Sequence, residues 1–155
     1  MKIVLASDNH NDRLALMRIA YSNNDADYYW HLGDSQEMDA SLIAPFMSVR
    51  GNCDHDRSLP LERVLEIAGH RLLLMHGHTC FTGTLASLAS RAKKQDCDIL
   101  LFGHTHVFTD EEIMGVRCIN PGSCRAPRDG DMPSYALLYL ENDGSVRVER
   151  KFLTV

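Results

Sequence analysis

The chain has 155 residues, enough for one ordinary domain with a real core, and residues 1–155 are read as a single domain. Its apolar share of 45% and charged share of 24% are those of a folded globular protein and exclude a disordered or membrane-embedded class. A formal net charge of −5 excludes broad electrostatic capture of nucleic acid, so an anionic substrate has to be attracted locally.

Residues 3–6 form an apolar run without helical spacing that stops at the polar stretch 7–12, as a buried strand does. The start of the chain is too short in apolar residues for a secretory segment and no later run can span a bilayer, so a cytoplasmic location without membrane contact is expected. Leu14, Met17, Ile19 and Ala20 then mark a helix, with Asn11 or Asp12 as its N-cap and an end near Asn23 and Asn24. Residues 28–32 read as the second strand, followed at once by Gly33 and Asp34. The apolar stretch 41–44 is too short to assign and stops before Pro45. Residues 46–49 read as the third strand, followed by Gly51 and Asn52.

From there the pattern changes. Residues 63–67 and 71–75 flank Gly69 and His70, which predicts a hairpin whose second strand ends in His76. Leu85, Leu88, Ala89 and Ala92 have helical spacing within 84–94, and the run 99–102 after them ends at Gly103 and His104. Residues 112–114 and 116–119 are expected as strands about a turn at Gly115, and a loop rich in Pro, Gly and Arg follows. Residues 135–140 and 146–152, separated by Asn142, Asp143 and Gly144, form a second hairpin. Periodicity thus gives an α/β chain with an antiparallel C-terminal portion, without internal repeat or linker. The five cysteines are odd in number and lack CxxC spacing, which speaks against a disulfide framework; Cys80, Cys97, Cys118 and Cys124 read as small packing residues.

The polar residues at the ends of these runs carry the chemistry. Asp8 with His10, Asp34, Asn52, His76, and His104 with His106 each follow an apolar strand, and in open α/β sheets the ligand crevice lies at the carboxyl ends of strands. Carboxylate, imidazole and amide oxygen suit manganese, iron, nickel or zinc, and the lack of thiolates in the set argues against a structural zinc site. The i, i+2 spacing of Asp8 with His10 and of His104 with His106 is expected to place both side chains on one side of an extended backbone. A lone Asp-x-His or Gly-Asp is usually a cap or a turn; it is the joint pattern that points to a site. His31, inside a strand, reads as a hydrogen-bonded core residue, and His70 as a turn residue.

The motifs SDNH at 7–10, GD at 33–34, GNCD at 51–54, HGH at 76–78, GHTH at 103–106 and NPGS at 120–123 appear in the order and approximate spacing of one family. By them the chain resembles the calcineurin-like metallophosphoesterase superfamily, in particular its small single-domain prokaryotic phosphodiesterase branch, the YfcE type. The resemblance implies a two-layer mixed β-sandwich flanked by helices. It also implies two divalent metal ions, with Mn2+ as first choice, one held by Asp8, His10 and His106 and the other by Asn52, His76 and His104. Asp34 would bridge them. Two divalent ions outweigh the charge of Asp8 and Asp34, so the site keeps a positive surplus that suits a phosphodiester, and a metal-bridging hydroxide is the expected nucleophile.

His78 and Asp54, inside the same motifs, are the candidate catalytic side chains. Larger members carry a histidine after the motif asparagine, thought to protonate the leaving group, where this chain has Cys53, a poor substitute near neutral pH. Weaker turnover of poor leaving groups is therefore expected unless His78 or His55 supplies the proton. Arg125 and Arg128, after NPGS, are either phosphate-orienting groups or solvated loop charges. The expected partner is a small phosphate-ester substrate, with a homodimer or homotetramer implied by relatives. The alternatives are a phosphomonoesterase or nucleotidase, or a non-catalytic interaction scaffold of the same fold, as in the related retromer subunit.

Overall fold

In the computed structural model, which describes residues 1–80 and 82–154, the apolar runs form two five-stranded sheets. The elements in chain order are β1 (Lys2–Ala6), α1 (Arg13–Ser22), β2 (Tyr28–His31), a 3-10 turn (Ala40–Ile43), β3 (Met47–Ser48), β4 (Glu62–Ile67), β5 (His70–Met75), α2 (Leu85–Lys94), β6 (Ile99–Leu101), β7 (Thr109–Ile113), β8 (Val116–Asn120), β9 (Ser134–Leu140) and β10 (Val146–Phe152). One sheet runs β10-β9-β1-β2-β3 and the other β4-β5-β6-β8-β7. In each, three parallel strands carry antiparallel strands at the side: β1, β2 and β3 with β9 and β10, and β5, β6 and β8 with β4 and β7.

The alternation of side chains across a strand decides the layers. Ile3 and Leu5 of β1, Trp30 of β2, Leu72 and Leu74 of β5, and Ile99 and Leu101 of β6 meet in one cluster between the sheets. Their neighbours Val4 and Ala6 face outward onto Leu16 and Ile19 of α1, while Leu73, Met75 and Leu100 face Leu88, Ala89 and Ala92 of α2. The parallel strands are therefore apolar on both faces, which is why they read as continuous runs rather than alternating ones. This is the expected two-layer mixed sandwich with helices outside.

Local chemistry sets the ends. The Asp12 side chain accepts from Ala15 N at the start of α1, and Thr84 does the same for Ser87 N at α2. The β4–β5 hairpin turns through Ala68 and Gly69, both at positive φ, so His70 opens β5 rather than forming the turn. Three expectations shift. The stretch left unassigned at 41–44 holds most of the 3-10 turn, the third strand shrinks to two residues, and β7 starts at Thr109 rather than 112. β7 is a polar edge strand, Thr-Asp-Glu-Glu-Ile, whose acidic residues face water and protect the edge from further pairing. The cysteines are free; Cys97, Cys118 and Cys124 are buried, and Cys80 packs half-buried against the α2 cluster. Among the described residues, no helix is long and apolar enough to cross a membrane.

His31 is the core residue expected. Its Nδ1 accepts from Gly33 N at 3.1 Å, so the ring proton sits on Nε2 and is donated to Asn9 Oδ1 at 2.8 Å. Burial pushes its pKa down from 6.5 to about 4, so between those values the unfolded chain takes up a proton that the folded one refuses. The stability this neutral ring protects is whole above pH 6.5 and is lost as the pH falls toward 4. Urea unfolding across that window is expected to show a steep acid limb in the wild type and a shallower one in His31→Gln; superimposable limbs would exclude this origin.

Candidate metal centre

All seven expected ligands lie beyond the carboxyl ends of strands on one side of the sandwich, where β1, β2, β3, β5 and β6 run out into loops. Asp8 Oδ1 lies 3.3 Å from His106 Nε2, 3.7 Å from His76 Nε2 and 3.9 Å from His10 Nε2. His10 and His106 approach each other Nε2 to Nε2 at 3.1 Å. His76 Nε2 is 3.1 Å from Asp34 Oδ2 and 3.0 Å from Asn52 Oδ1, and His104 Nδ1 also meets Asn52 Oδ1 at 3.0 Å. Ligand-capable atoms of Asp8, His10 and His106, of Asp8, Asp34 and His76, and of His10, Asp34 and Cys53 lie within 4.8 Å of one another. Both carboxylates thus belong to more than one group.

The expected route to this convergence is corrected by the backbone. Asp8, His10, Asp34, His104 and His106 all have positive φ, between 42° and 71°, so neither Asp-x-His nor His-x-His is extended. The side chains are brought together by left-handed turns, a conformation that residues with a Cβ seldom adopt and that sites hold under constraint. Between His76 and His78 the backbone also turns, at Gly77 with φ +113°. Gly51 permits a close approach: a Cβ there would stand 2.1 Å from Asp34 Oδ1.

Hydrogen bonds fix the ring protons. The Nδ1 of His76 meets Leu32 O at 2.7 Å, that of His106 meets Ala126 O at 2.7 Å, and that of His10 meets Gln36 Oε1 at 2.6 Å. Each partner only accepts, so each Nδ1 carries the proton and each neutral ring turns an Nε2 lone pair inward. Asp8 Oδ2 accepts from Ser7 Oγ at 2.6 Å and His104 N at 3.1 Å, while Oδ1, fully buried, makes no hydrogen bond. With these rings neutral, the space is walled by acceptors. Divalent cations fit that donor set, whereas an empty pocket of lone pairs cut off from water is unfavourable.

The ionisation of the site agrees. Burial alone would raise the Asp8 and Asp34 carboxyls, yet the nearby imidazoles, with Ser7 Oγ at Asp8 and Cys53 N–H at Asp34, hold both below the ordinary carboxylate range. Burial would lower His76, but Asp34 and Asp8 raise it, and His106 is raised chiefly by Asp8. His78 is lowered by burial and by the His76 and His104 rings beside it, whose centroids lie 5.5 and 6.3 Å away. Its buried Nδ1 has no hydrogen-bond partner.

The remaining expected residues divide. Cys53 lies beside the cluster, and burial with the Asp34 charge raises its thiol, which is therefore protonated near neutral pH. Arg125 Nη1 donates to His10 O at 3.1 Å, so its guanidinium is tied to the ligand loop, whereas Arg128 N donates to His106 O at 2.9 Å and its side chain is exposed. His55 is exposed on the GNCD loop. His70 lies apart, its Nδ1 on Asp98 Oδ2 at 2.6 Å and its Nε2 on Gly144 O at 3.0 Å. Asp54 does not offer a free carboxyl: Oδ2 accepts from Asp34 N and Gly51 N at 2.8 and 2.7 Å, and Oδ1 from Gln36 N at 2.8 Å. A catalytic acid or base needs an oxygen facing substrate, and both of these are engaged by backbone. Sequence reasoning missed Ser7, Gln36 and the two carbonyls that set the ring tautomers. Ser7 opens the SDNH motif and Gln36 stands two residues after Asp34, while a backbone carbonyl leaves no side-chain signature.

Residues 1–143 match the model of the calcineurin-like phosphoesterase superfamily domain. The chain is 35% identical over 148 residues to a probable metallophosphoesterase, YsnB, of Bacillus subtilis, with 94% of this chain and 88% of that protein covered. Among solved structures, the E. coli phosphoesterase YfcE superposes with a TM-score of 0.69 at 25% identity, covering 99% of this chain and all of that one. Wild-type Vps29 of Entamoeba histolytica, solved in complex with Zn2+, has a TM-score of 0.74 at 25% identity over 97% of this chain and 98% of its own.

Gly51→Ala is expected to push the Asp34 carboxylate aside while leaving both sheets intact. Titration calorimetry with Mn2+ should show affinity reduced by about 10-fold or more at an unchanged far-UV circular dichroism spectrum. Wild-type affinity in this variant would mean that the close approach is not used.

Proposed function

The chain belongs to the calcineurin-like phosphoesterase superfamily, and on that footing we propose that it is a divalent-metal-dependent phosphodiesterase, a single catalytic domain acting in the cytoplasm on small phosphate diesters. Asp8, His10 and His106 would hold one ion, Asn52, His76 and His104 the other, and Asp34 would stand between them. Mn2+ is the first candidate, with iron, nickel and zinc as alternatives. When bound, such a pair supplies Lewis acidity at phosphoryl oxygens and a water ionised near neutral pH. The observation that carries the reading is the set of inward lone pairs around the unpartnered, buried Asp8 Oδ1.

The chain's own groups then divide the work. Leu32 O, Ala126 O and Gln36 Oε1 hold three imidazoles in the tautomer that keeps Nε2 free. Asp8, His76, Asp34 and His106 form a floor closed to solvent, with Asp8 and His76 at 0% and 1% exposure, whereas Asn52 and His104 lie at the open side where an ester can arrive. His78 stands beside that opening as a neutral ring and can donate one hydrogen bond to a phosphoryl oxygen. Neither it nor the protonated Cys53 is suited to deliver a proton quickly at neutral pH, so esters whose leaving groups depart as stable anions are the better substrates.

The test is hydrolysis of a bis-aryl phosphate by purified protein with added Mn2+, with and without chelator. Turnover that requires metal, falls at least ~100-fold in Asp8→Asn or His106→Ala, and exceeds that of the matching monoester is expected. A faster monoester would establish a phosphomonoesterase. No turnover with any of the four metals would favour the scaffold reading. Across a series of aryl diesters the rate is expected to depend steeply on leaving-group pKa, and Cys53→Ser is expected to change turnover by less than about 3-fold, whereas a large loss at unchanged metal content would put the thiol in the reaction.

A further inference from the structure

We propose that Asp54 is the positioning residue of this centre: its carboxylate docks the loop carrying Asp34 and Gln36 onto the loop carrying Asn52, and so sets the geometry of both halves at once. The inference rests on the metal-dependent reading above and goes beyond it, since Asp54 touches neither ion nor substrate.

The geometry is specific. Asp54 Oδ2 accepts from the backbone N–H of Asp34 at 2.8 Å and of Gly51 at 2.7 Å, while Oδ1 accepts from Gln36 N at 2.8 Å. Asp54 N itself donates to Gly51 O at 3.3 Å, closing a turn around Asn52 and Cys53. One carboxylate thus gathers three amides from two loops that lie far apart in sequence, through charge-assisted bonds stronger than neutral ones. These amides belong to one proposed ligand, to the residue before another and to the support of a third. Asp34 presents Oδ2 to His76 and receives Cys53 N on Oδ1 at 2.8 Å. Asn52 presents Oδ1 to His76 and His104. Gln36 Oε1 accepts a hydrogen bond from His10 Nδ1–H.

The clamp also answers a conformational problem. Asp34 and Gln36 both sit at positive φ, 62° and 59°, in a loop that would relax to right-handed or extended backbone if left alone. Their N–H groups are the ones that bind Asp54, so the left-handed turn and the carboxylate hold each other. Removing the charge should therefore loosen the distance between the two halves more than it affects the sheets, whose clusters Asp54 does not join.

Asp54→Asn tests this. The amide nitrogen has to face at least one of the three backbone N–H donors, so at least one of the bonds that dock the loops is lost and the charge that strengthens the others is removed. Metal-free protein is titrated with Mn2+ by calorimetry, and the electron paramagnetic resonance spectrum is recorded with two equivalents bound. Wild type is expected to give the exchange-coupled signal of a close ion pair. The variant is expected to bind Mn2+ about 10- to 100-fold more weakly and to show the six-line signal of isolated ions, at an unchanged melting temperature of the metal-free chain. Wild-type affinity and coupling in the variant would overturn the proposal, as would an affinity that falls only in step with the folded fraction. Should the Asn variant not fold, Asp54→Glu, which keeps both acceptors on a longer arm, is measured the same way, and unchanged coupling overturns it. A wild-type chain that binds no Mn2+ overturns the metal-dependent reading instead.

Discussion

The structure turns on a repulsion that the fold holds in place. His10, His76 and His106 each donate an Nδ1–H hydrogen bond to an acceptor outside the pocket, and what faces inward is a crowd of lone pairs: three Nε2 atoms, Asp8 Oδ1, Asp34 Oδ2 and Asn52 Oδ1. Left alone, such atoms would rotate outward to water or take up protons. They cannot rotate, because each ring is pinned at its far edge and Asp8 is buried at the end of β1 between Ser7 and the His104 amide. An arrangement that is unfavourable when empty and favourable around cations amounts to preorganisation: its cost is met at folding and not again when ions bind.

That cost has to be met by packing. β1 supplies Ile3 and Leu5 to the inter-sheet cluster and Val4 and Ala6 to the layer under α1, all fully buried, so the strand that delivers Asp8 is fixed on both faces. β5, which delivers His76, is held the same way by Leu72 and Leu74 on one face and Leu73 and Met75 on the other. Each buried Leu contributes roughly 1.5–3 kcal/mol, and this packing on both faces opposes the desolvation of Asp8 and the left-handed turns that follow the strands. The contrast is sharp at Gly103, where a Cβ would fall 2.1 Å from Ser7 Oγ and 2.8 Å from Asp8 Oδ2: the second sheet's His-x-His loop touches the first sheet's aspartate with no room for a side chain. The two sheets share one site because glycine lets their loops meet.

How much of this was legible follows from what leaves a mark in sequence. Strands buried on both faces announce themselves as apolar runs, so β1, β5 and β6 and the two hairpins could be read, and the ligand types stood at their ends. β7 could be read only at its end, from 112, since its Thr-Asp-Glu start looks like a loop, and β3 was read as 46–49 because the residues flanking its two paired positions are apolar and buried as well. The candidate ligands could be named but not the backbone beneath them: Asp, Asn and His tolerate positive φ without requiring it, so 8–10 and 104–106 read equally well as extended. The supports were the least visible part. Leu32 and Ala126 act through carbonyls that any residue would provide. Asp54 looks like a catalytic carboxylate from its motif and is turned by the fold toward backbone amides.

Burial across the site is uneven, and the unevenness has a chemical sense. Asp8 and His76 lie at the bottom, where a low dielectric strengthens every charge interaction, while Asn52 and His104 lie at the rim in contact with solvent. The two carboxylates sit among the buried groups and the neutral amide and the exposed imidazole sit outside. Negative charge, which would repel an arriving phosphate, is thereby kept to the far side of the place where cations fit, and the face turned to solvent consists of groups without negative charge. In a chain whose net charge is −5, this local order is what the proposed reading requires if an anionic ester is to be drawn in at one point and discouraged elsewhere.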